Sequence, residues 1–303
     1  MPAQTETLAK FDPFARASGE QGTDARRYVI ADVFTDTPLE GNGLGVFTDG
    51  RGLGADTMQR IARELNLSET VFVLPADSGG DVRVRIFTPA EELPFAGHPV
   101  LGTAIVIAPA LGREAVTLET ATGPVPLELT REDGRVVSGR MRQPLPAWSG
   151  YQDEPALLRA LGVRRTGPPL EVYDNGPTYV YVDLGSERAL AELAPDMRAL
   201  AELAPTCASC FAGSGRRWKM RMFAPGAGIP EDPATGSAAG PLAVHLSRHG
   251  RIAFGEEIEI RQGAEIGRPS LLYACARGTR ERLQRVEVAG SAVIVASGVF
   301  VIG

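Results

Sequence analysis

Residues 29–34 are apolar but for Asp32, residues 71–74 are an apolar run, and residues 82–86 alternate Val82, Val84 and Ile86 with Arg83 and Arg85. All three patterns predict half-buried strands. Between the first two runs, Met58, Ile61, Ala62 and Leu65 recur at helical spacing behind Asp56, with Gln59 three residues after it. This predicts a helix capped by Asp56. The segment Leu67-Ser68-Glu69-Thr70 is where that helix passes into a strand. Helix-favouring stretches recur at 154–161 and 187–203, the second interrupted by Pro195.

Two segments break the amphipathic pattern. Residues 98–112 carry no formal charge, and residues 237–247 carry none apart from a proton on His245. A helix apolar on every side has no face to turn to water, so each must be surrounded by protein. Each half of the chain is therefore predicted to wrap strands around one central helix. The strands come in hairpin-like succession and do not alternate with amphipathic helices, which predicts an α+β fold with a mixed, curled sheet rather than a doubly wound parallel one. Two prolines lie in residues 141–146, where the strand pattern lapses. The boundary is set there, giving a barrel-like domain over 28–142 and a second over 143–303, whose last strands are free to return to the first. Residues 1–27 are polar and mixed in charge and read as a disordered extension.

Both uncharged runs are entered in the same way. Arg85-Ile86-Phe87-Thr88-Pro89 leads to Phe95-Ala96-Gly97-His98, and Arg221-Met222-Phe223-Ala224-Pro225 leads to Ala234-Thr235-Gly236-Ser237. A strand, a proline turn and a glycine that opens a helix leave bare N–H groups at a helix N-terminus, which is an anion site. Two such sites facing each other would hold one small acid.

The 303 residues suffice for two cores, and 44% hydrophobic with 22% charged content describes a soluble globular protein. A net charge of −6 with scattered basic residues excludes a nucleic-acid footprint. No segment has the length and apolarity of a membrane span or a signal peptide, so no membrane partner and a cytoplasmic location are expected. The three cysteines cannot make a disulfide framework, which fits a reducing compartment.

Four polar side chains cluster at the duplicated device. Glu69 stands at a helix-to-strand junction, and a carboxylate partly buried there suits acid/base work, because burial disfavours its charged form. His98 follows Gly97, Asp232 lies in a proline-flanked turn before the second helix start, and Ser237 follows Gly236. Taken singly, each has a structural reading: a solvated carboxylate, two helix caps, a turn. Neither Lys10 nor Lys219 suits a Schiff base. His245 and His249 have metal-compatible spacing, but no third ligand is near in sequence, so no metal and no cofactor are assigned.

The chain resembles the PhzF family of isomerases, which share the diaminopimelate epimerase fold. The matching segments are Asp32-Val33-Phe34 with Leu39-Glu40-Gly41-Asn42, residues 65–70, 85–103, Glu171-Val172-Tyr173 with Asn175-Gly176-Pro177, residues 221–246, and Gln262-Gly263 with residues 265–270. The resemblance implies two similar domains, each a β-barrel-like sheet around a central helix, with an active site between them, a homodimer and no cofactor. It implies conversion of trans-2,3-dihydro-3-hydroxyanthranilate, a small cyclic amino acid, into an aminoketone that goes on to phenazines. The family's acid/base glutamate falls on Glu69 and its assisting groups on His98, Asp232 and Ser237, with substrate binding at Asn42, Gly97 and Gly236. Diaminopimelate epimerases carry a cysteine pair where this chain has Ala96 and Thr235, so two-base racemisation is not expected. Many relatives read Glu-Gly-Asn-Pro where this chain has Glu40-Gly41-Asn42-Gly43. The readings left beside the main one are a PhzF-like double-bond isomerase of another precursor, such as an alkylproline intermediate, and a non-catalytic protein that binds small acids.

Overall fold

The computed structural model describes residues 24–164, 166–203 and 207–302. They form two compact units, one of residues up to 39 with 43–141 and 290–303, the other of 40–42 and 142–289.

In the first unit the elements run β1 (Asp24–Val33), β2 (Asn42–Phe47), α1 (Ala55–Leu65), β3 (Glu69–Leu74), β4 (Val82–Phe87), β5 (Glu92–Leu93), α2 (Gly97–Leu111), β6 (Ala115–Thr120), β7 (Gly123–Glu132) and β8 (Arg135–Gln143). In the second they run β9 (Ala147–Gly150), α3 (Glu154–Leu161), β10 (Glu171–Asp174), β11 (Thr178–Asp183), α4 (Glu187–Ala191), α5 (Met197–Ala201), β12 (Cys207–Ser214), β13 (Arg217–Ala224), β14 (Ile229–Asp232), α6 (Gly236–Arg248), β15 (Glu257–Gln262) and β16 (Ser270–Gly278). A last long strand, β17 (Leu283–Ile302), begins in the second unit and ends in the first, where it pairs antiparallel with β1.

The strand order repeats. In the first unit β2–β3 is parallel, β3–β4 antiparallel, β4–β6 parallel, and β6–β7 and β7–β8 antiparallel. In the second, β11–β12, β12–β13, β13–β15, β15–β16 and β16–β17 follow the same sequence of senses. Each has a short strand hung on the hairpin before its central helix, β5 on β4 and β14 on β13. The fold is α+β and epimerase-like, a curled sheet around one helix in each unit.

The central helices are dry, as their lack of charge requires: residues 97–108 of α2 and 236–247 of α6 are all buried. Sheet strands surround each, β1, β3, β6 and β7 around α2, and β11, β15 and β16 around α6. Small residues permit the close approach. A Cβ on Gly102 would meet Val33 at 2.6 Å and Leu44 at 2.7 Å. On Gly240 it would meet Oε1 of Gln143 at 2.1 Å.

Three details depart from expectation. The first strand starts at Asp24, so residues 24–27 are not part of an extension, because they pair with 299–302 of β17. Residues 1–23 of that extension lie outside the described residues. Helix α1 is capped by Gly54, and Asp56 lies within its first turn, where a carboxylate complements the helix dipole. Residues 187–203 form two five-residue helices on either side of Pro195. Among the described residues no helix is long and apolar enough to cross a membrane.

Candidate active site

Glu69 is positioned by the end of α1. Asn66 adopts a left-handed conformation (φ 50°) and closes the helix with its N–H on the Ala62 carbonyl. Three residues later β3 begins, with Glu69 beside Leu44 in parallel register. Side chains alternate along a strand, and Phe72 and Leu74 pack with Met58, Ile61 and Ala62 of α1. Glu69 therefore points the other way, toward α2. There its Oε2 lies 3.0 Å from Nε2 of His98, and both side chains are buried. Among the described residues no well-directed hydrogen bond reaches that carboxylate oxygen. It is a buried carboxylate oxygen in contact with one titratable ring, the placement a proton carrier needs.

His98 is the second residue of α2 and does not cap it; the N-cap is Ala96. Ser237 is likewise the second residue of α6, behind an N-cap at Thr235. Neither N-cap side chain bonds back to its helix among the described residues, so the N–H groups opening both helices are not consumed by their own caps.

In the second unit Asp232 ends β14, and both its oxygens are engaged. Thr235 donates its hydroxyl to Oδ2 at 2.5 Å, and Asn42 donates Nδ2 to Oδ1 at 2.8 Å. Asn42 also donates to the carbonyl of Ala234 at 3.0 Å. Gln262 braces the same turn, donating to the Asp232 carbonyl at 2.8 Å and to Thr235 Oγ1 at 3.0 Å while accepting from the Thr235 N–H at 3.0 Å. Thr235 thus holds a carboxylate in place. Ser237 Oγ lies 2.6 Å from the hydroxyl of Tyr179.

The structure accordingly joins Glu69 to His98, and Asn42 to Asp232, and sets Gly97 and Gly236 as the first residues of α2 and α6. The parts played by Gln262, Tyr179 and Gln143 are not visible in the local sequence, since each reaches its partner across a long stretch of chain.

His245 and His249 also acquire a third group. Oε2 of Glu171 lies 3.0 Å from His249 Nε2 and 3.7 Å from His245 Nδ1. These three could hold a metal ion by ligand type and proximity. The same oxygen, however, accepts from Arg248 Nη1 at 2.7 Å and from the Tyr173 hydroxyl at 2.8 Å. Burial works against the charge of Glu171, but bonds from His245, Arg248, His249 and Tyr173 outweigh it and hold the carboxyl well below its usual range. Burial pushes His245 the opposite way, lowering its pKa and favouring the neutral ring. The guanidinium, stacked 4.3 Å from the Trp148 ring, already supplies the cation this carboxylate requires.

Residues 31–298 match the family model described as phenazine biosynthesis-like protein, PhzC-PhzF. A trans-2,3-dihydro-3-hydroxyanthranilate isomerase of Pseudomonas chlororaphis is 53% identical over 275 residues, covering 91% of this chain and 99% of that protein. The crystal structure of a PhzF-family phenazine biosynthesis protein from Bacillus anthracis superposes with a TM-score of 0.78 at 25% identity, covering 92% of this chain and 100% of the other. A hydroxyproline epimerase from Agrobacterium vitis shares the fold alone, with a TM-score of 0.61 at 15% identity, covering 93% and 94% of the two chains.

Proposed function

We propose that this chain, which belongs to the PhzC-PhzF phenazine biosynthesis-like family, isomerises trans-2,3-dihydro-3-hydroxyanthranilate by moving a proton from C3 to C1 of the ring. The observation that carries the reading is the buried Glu69–His98 contact at 3.0 Å, at the mouth of an uncharged helix. The carboxylate of Glu69 takes the C3 proton, the C=C bonds shift, and the protonated carboxyl so formed delivers the proton to C1. One group serves both steps because the first step makes the acid that the second needs, provided water is kept out. His98 steadies the carboxylate between the steps. Asp232 and Ser237 are the assisting polar groups, and Asn42, Gly97 and Gly236 are assigned to substrate binding.

Nothing in this sequence of steps requires a metal or an organic cofactor. The chain's three cysteines, too few for a disulfide framework, support a reducing, cytoplasmic setting. A homodimer belongs to the same reading and is checked by light scattering. The deciding experiment is incubation of purified protein with the synthetic substrate, followed by NMR of the ring protons in deuterated water. Product that has lost its proton at C3 and carries that proton, not solvent deuterium, at C1 is expected. A folded protein that binds the compound and leaves it unchanged overturns the assignment.

A further inference from the structure

Pro241 lies inside α6. Proline has no N–H, and its ring pushes away the carbonyl four residues earlier. In α6 that carbonyl belongs to Ser237, which is buried and would be left without its helical donor. Asn175, in the turn between β10 and β11, supplies one from outside the helix: its Nδ2 donates to the Ser237 carbonyl at 3.0 Å. The neighbouring carbonyls are held in the same manner. Gln143 donates Nε2 to Gly236 at 2.8 Å, and Tyr181 donates its hydroxyl to Ala238 at 2.5 Å. Tyr179, two residues before Tyr181 and on the same strand face, meets the Ser237 hydroxyl at 2.6 Å.

Three consecutive residues at the start of α6 are thus gripped by side chains of the surrounding sheet. The helix is cut to receive them, since Gly240 leaves room for Gln143 and Pro241 clears the carbonyl for Asn175. Packing alone needs none of this, because an ordinary residue at 241 would satisfy Ser237 within the helix. We propose that Asn175 and Tyr179 are positioning residues for Ser237. Asn175 sets its main chain through the carbonyl that Pro241 frees, and Tyr179 takes one hydrogen-bonding direction of its hydroxyl and so fixes where the other points. The inference rests on the reading that Ser237 assists the isomerisation.

The test combines kinetics with amide hydrogen exchange on the full chain. Tyr179→Phe is expected to lower kcat roughly five- to tenfold, the worth of one buried hydrogen bond, with KM and the thermal midpoint nearly unchanged. In a Ser237→Ala background the same change should cost nothing further, whereas independent losses that multiply would overturn the role of Tyr179. Asn175→Ala should lower kcat and speed exchange at the amides of Ala238 and Ala239. Pro241→Ala, which restores the missing N–H, should rescue both. Absence of rescue in a folded double variant overturns the role of Asn175. If the wild type proves inert toward the proposed substrate, the functional reading fails by itself, and the exchange rescue still decides whether Asn175 replaces the donor that Pro241 lacks.

Discussion

The two central helices are entered by the same hairpin, but in one unit the hairpin is wet and in the other dry. In the first, Arg85 grips Glu92 through two hydrogen bonds at 2.7 and 2.6 Å, and the side chains are 27% and 40% exposed. In the second, Arg221 grips Glu231 at 2.8 and 2.8 Å, and the exposures are 8% and 9%. Even the aromatic platform is repeated, with Phe87 5.2 Å beneath Arg85 and Phe223 5.1 Å beneath Arg221. A desolvated guanidinium must satisfy all its donors, and Arg221 does so by donating to the carbonyls of Leu193 at 2.7 Å and Leu190 at 3.0 Å. One motif has become a surface pair in the first unit and a buried anchor in the second. The helix starts differ in parallel: α2 opens on the buried Glu69–His98 contact, α6 on a web of fixed hydrogen bonds. The proposed proton carrier belongs to one copy and the densest bracing to the other.

Glu69→Gln strikes the first copy where the effect should be greatest. Loss of the exchangeable proton should lower kcat by about a thousandfold or more, while substrate affinity stays within roughly tenfold. Single-turnover kinetics with calorimetry measures both, and substantial residual turnover would move the proton carrier elsewhere. Next in size is the contrast between the latches. Arg221→Ala strands a buried carboxylate and should cost about 3–5 kcal/mol, whereas Arg85→Ala should cost less than about 1 kcal/mol. Urea denaturation of the two variants reads the difference, and equal costs would remove the distinction between wet and dry copies.

The helix starts can be compared through the ligand. If their N–H groups bind an anion, the carboxamide of the substrate loses charge-assisted bonds worth about 1.5–3 kcal/mol each, so two lost bonds weaken binding by on the order of a hundredfold. Calorimetry on Glu69→Gln with acid and amide measures this. Equal affinities would make both starts purely structural.

The smallest effect is expected at Glu119 in the first unit. Its carboxylate accepts three N–H bonds, from Asp77, Gly80 and Ser78, each at 2.7 Å. The bonds from Asp77 and Gly80 above all hold its pKa down at about 2, against burial, which would raise it. A carboxyl depressed on folding stabilises above its unfolded value of about 4.5, and that contribution is lost as pH falls toward about 2. Glu119→Gln should therefore be less stable than wild type at pH 7, and the gap should narrow between about pH 4.5 and 2. A gap independent of pH would mean that shape, not charge, holds this loop.

Much of this was legible in the chain itself. Helices that begin at Gly97 and Gly236 and run uncharged, the second as far as Ser247, could only be central, and Glu69 stood at a junction that local spacing defined. The web around α6 was not legible, because its members come from β8, β11, β15 and the turn between β10 and β11 and meet only through long-range pairing. Pro241 announced a carbonyl at Ser237 in need of a donor, but no local pattern could say that Asn175 would be the one to meet it. The third group beside His245 and His249 was hidden for the same reason, since Glu171 lies on β10, His245 on α6 and His249 at its C-cap. Asp56 misled because a carboxylate serves almost as well inside the first turn as at the cap.

The path of β17 bears on how the molecule is made. Strand β1 precedes the second unit in the chain, yet the strand that covers its edge, residues 292–302, follows that unit. The first unit therefore has to wait with an open sheet edge while the whole of the second is translated. That second unit is closed by the near half of the same strand, residues 283–289. Vectorial synthesis favours completion of the later half first, and the nascent chain must keep β1 from pairing with a neighbouring copy in the meantime. Cutting the gene at the apparent boundary would give a front fragment with β1 permanently unpaired on that side, prone to join strands with its own kind.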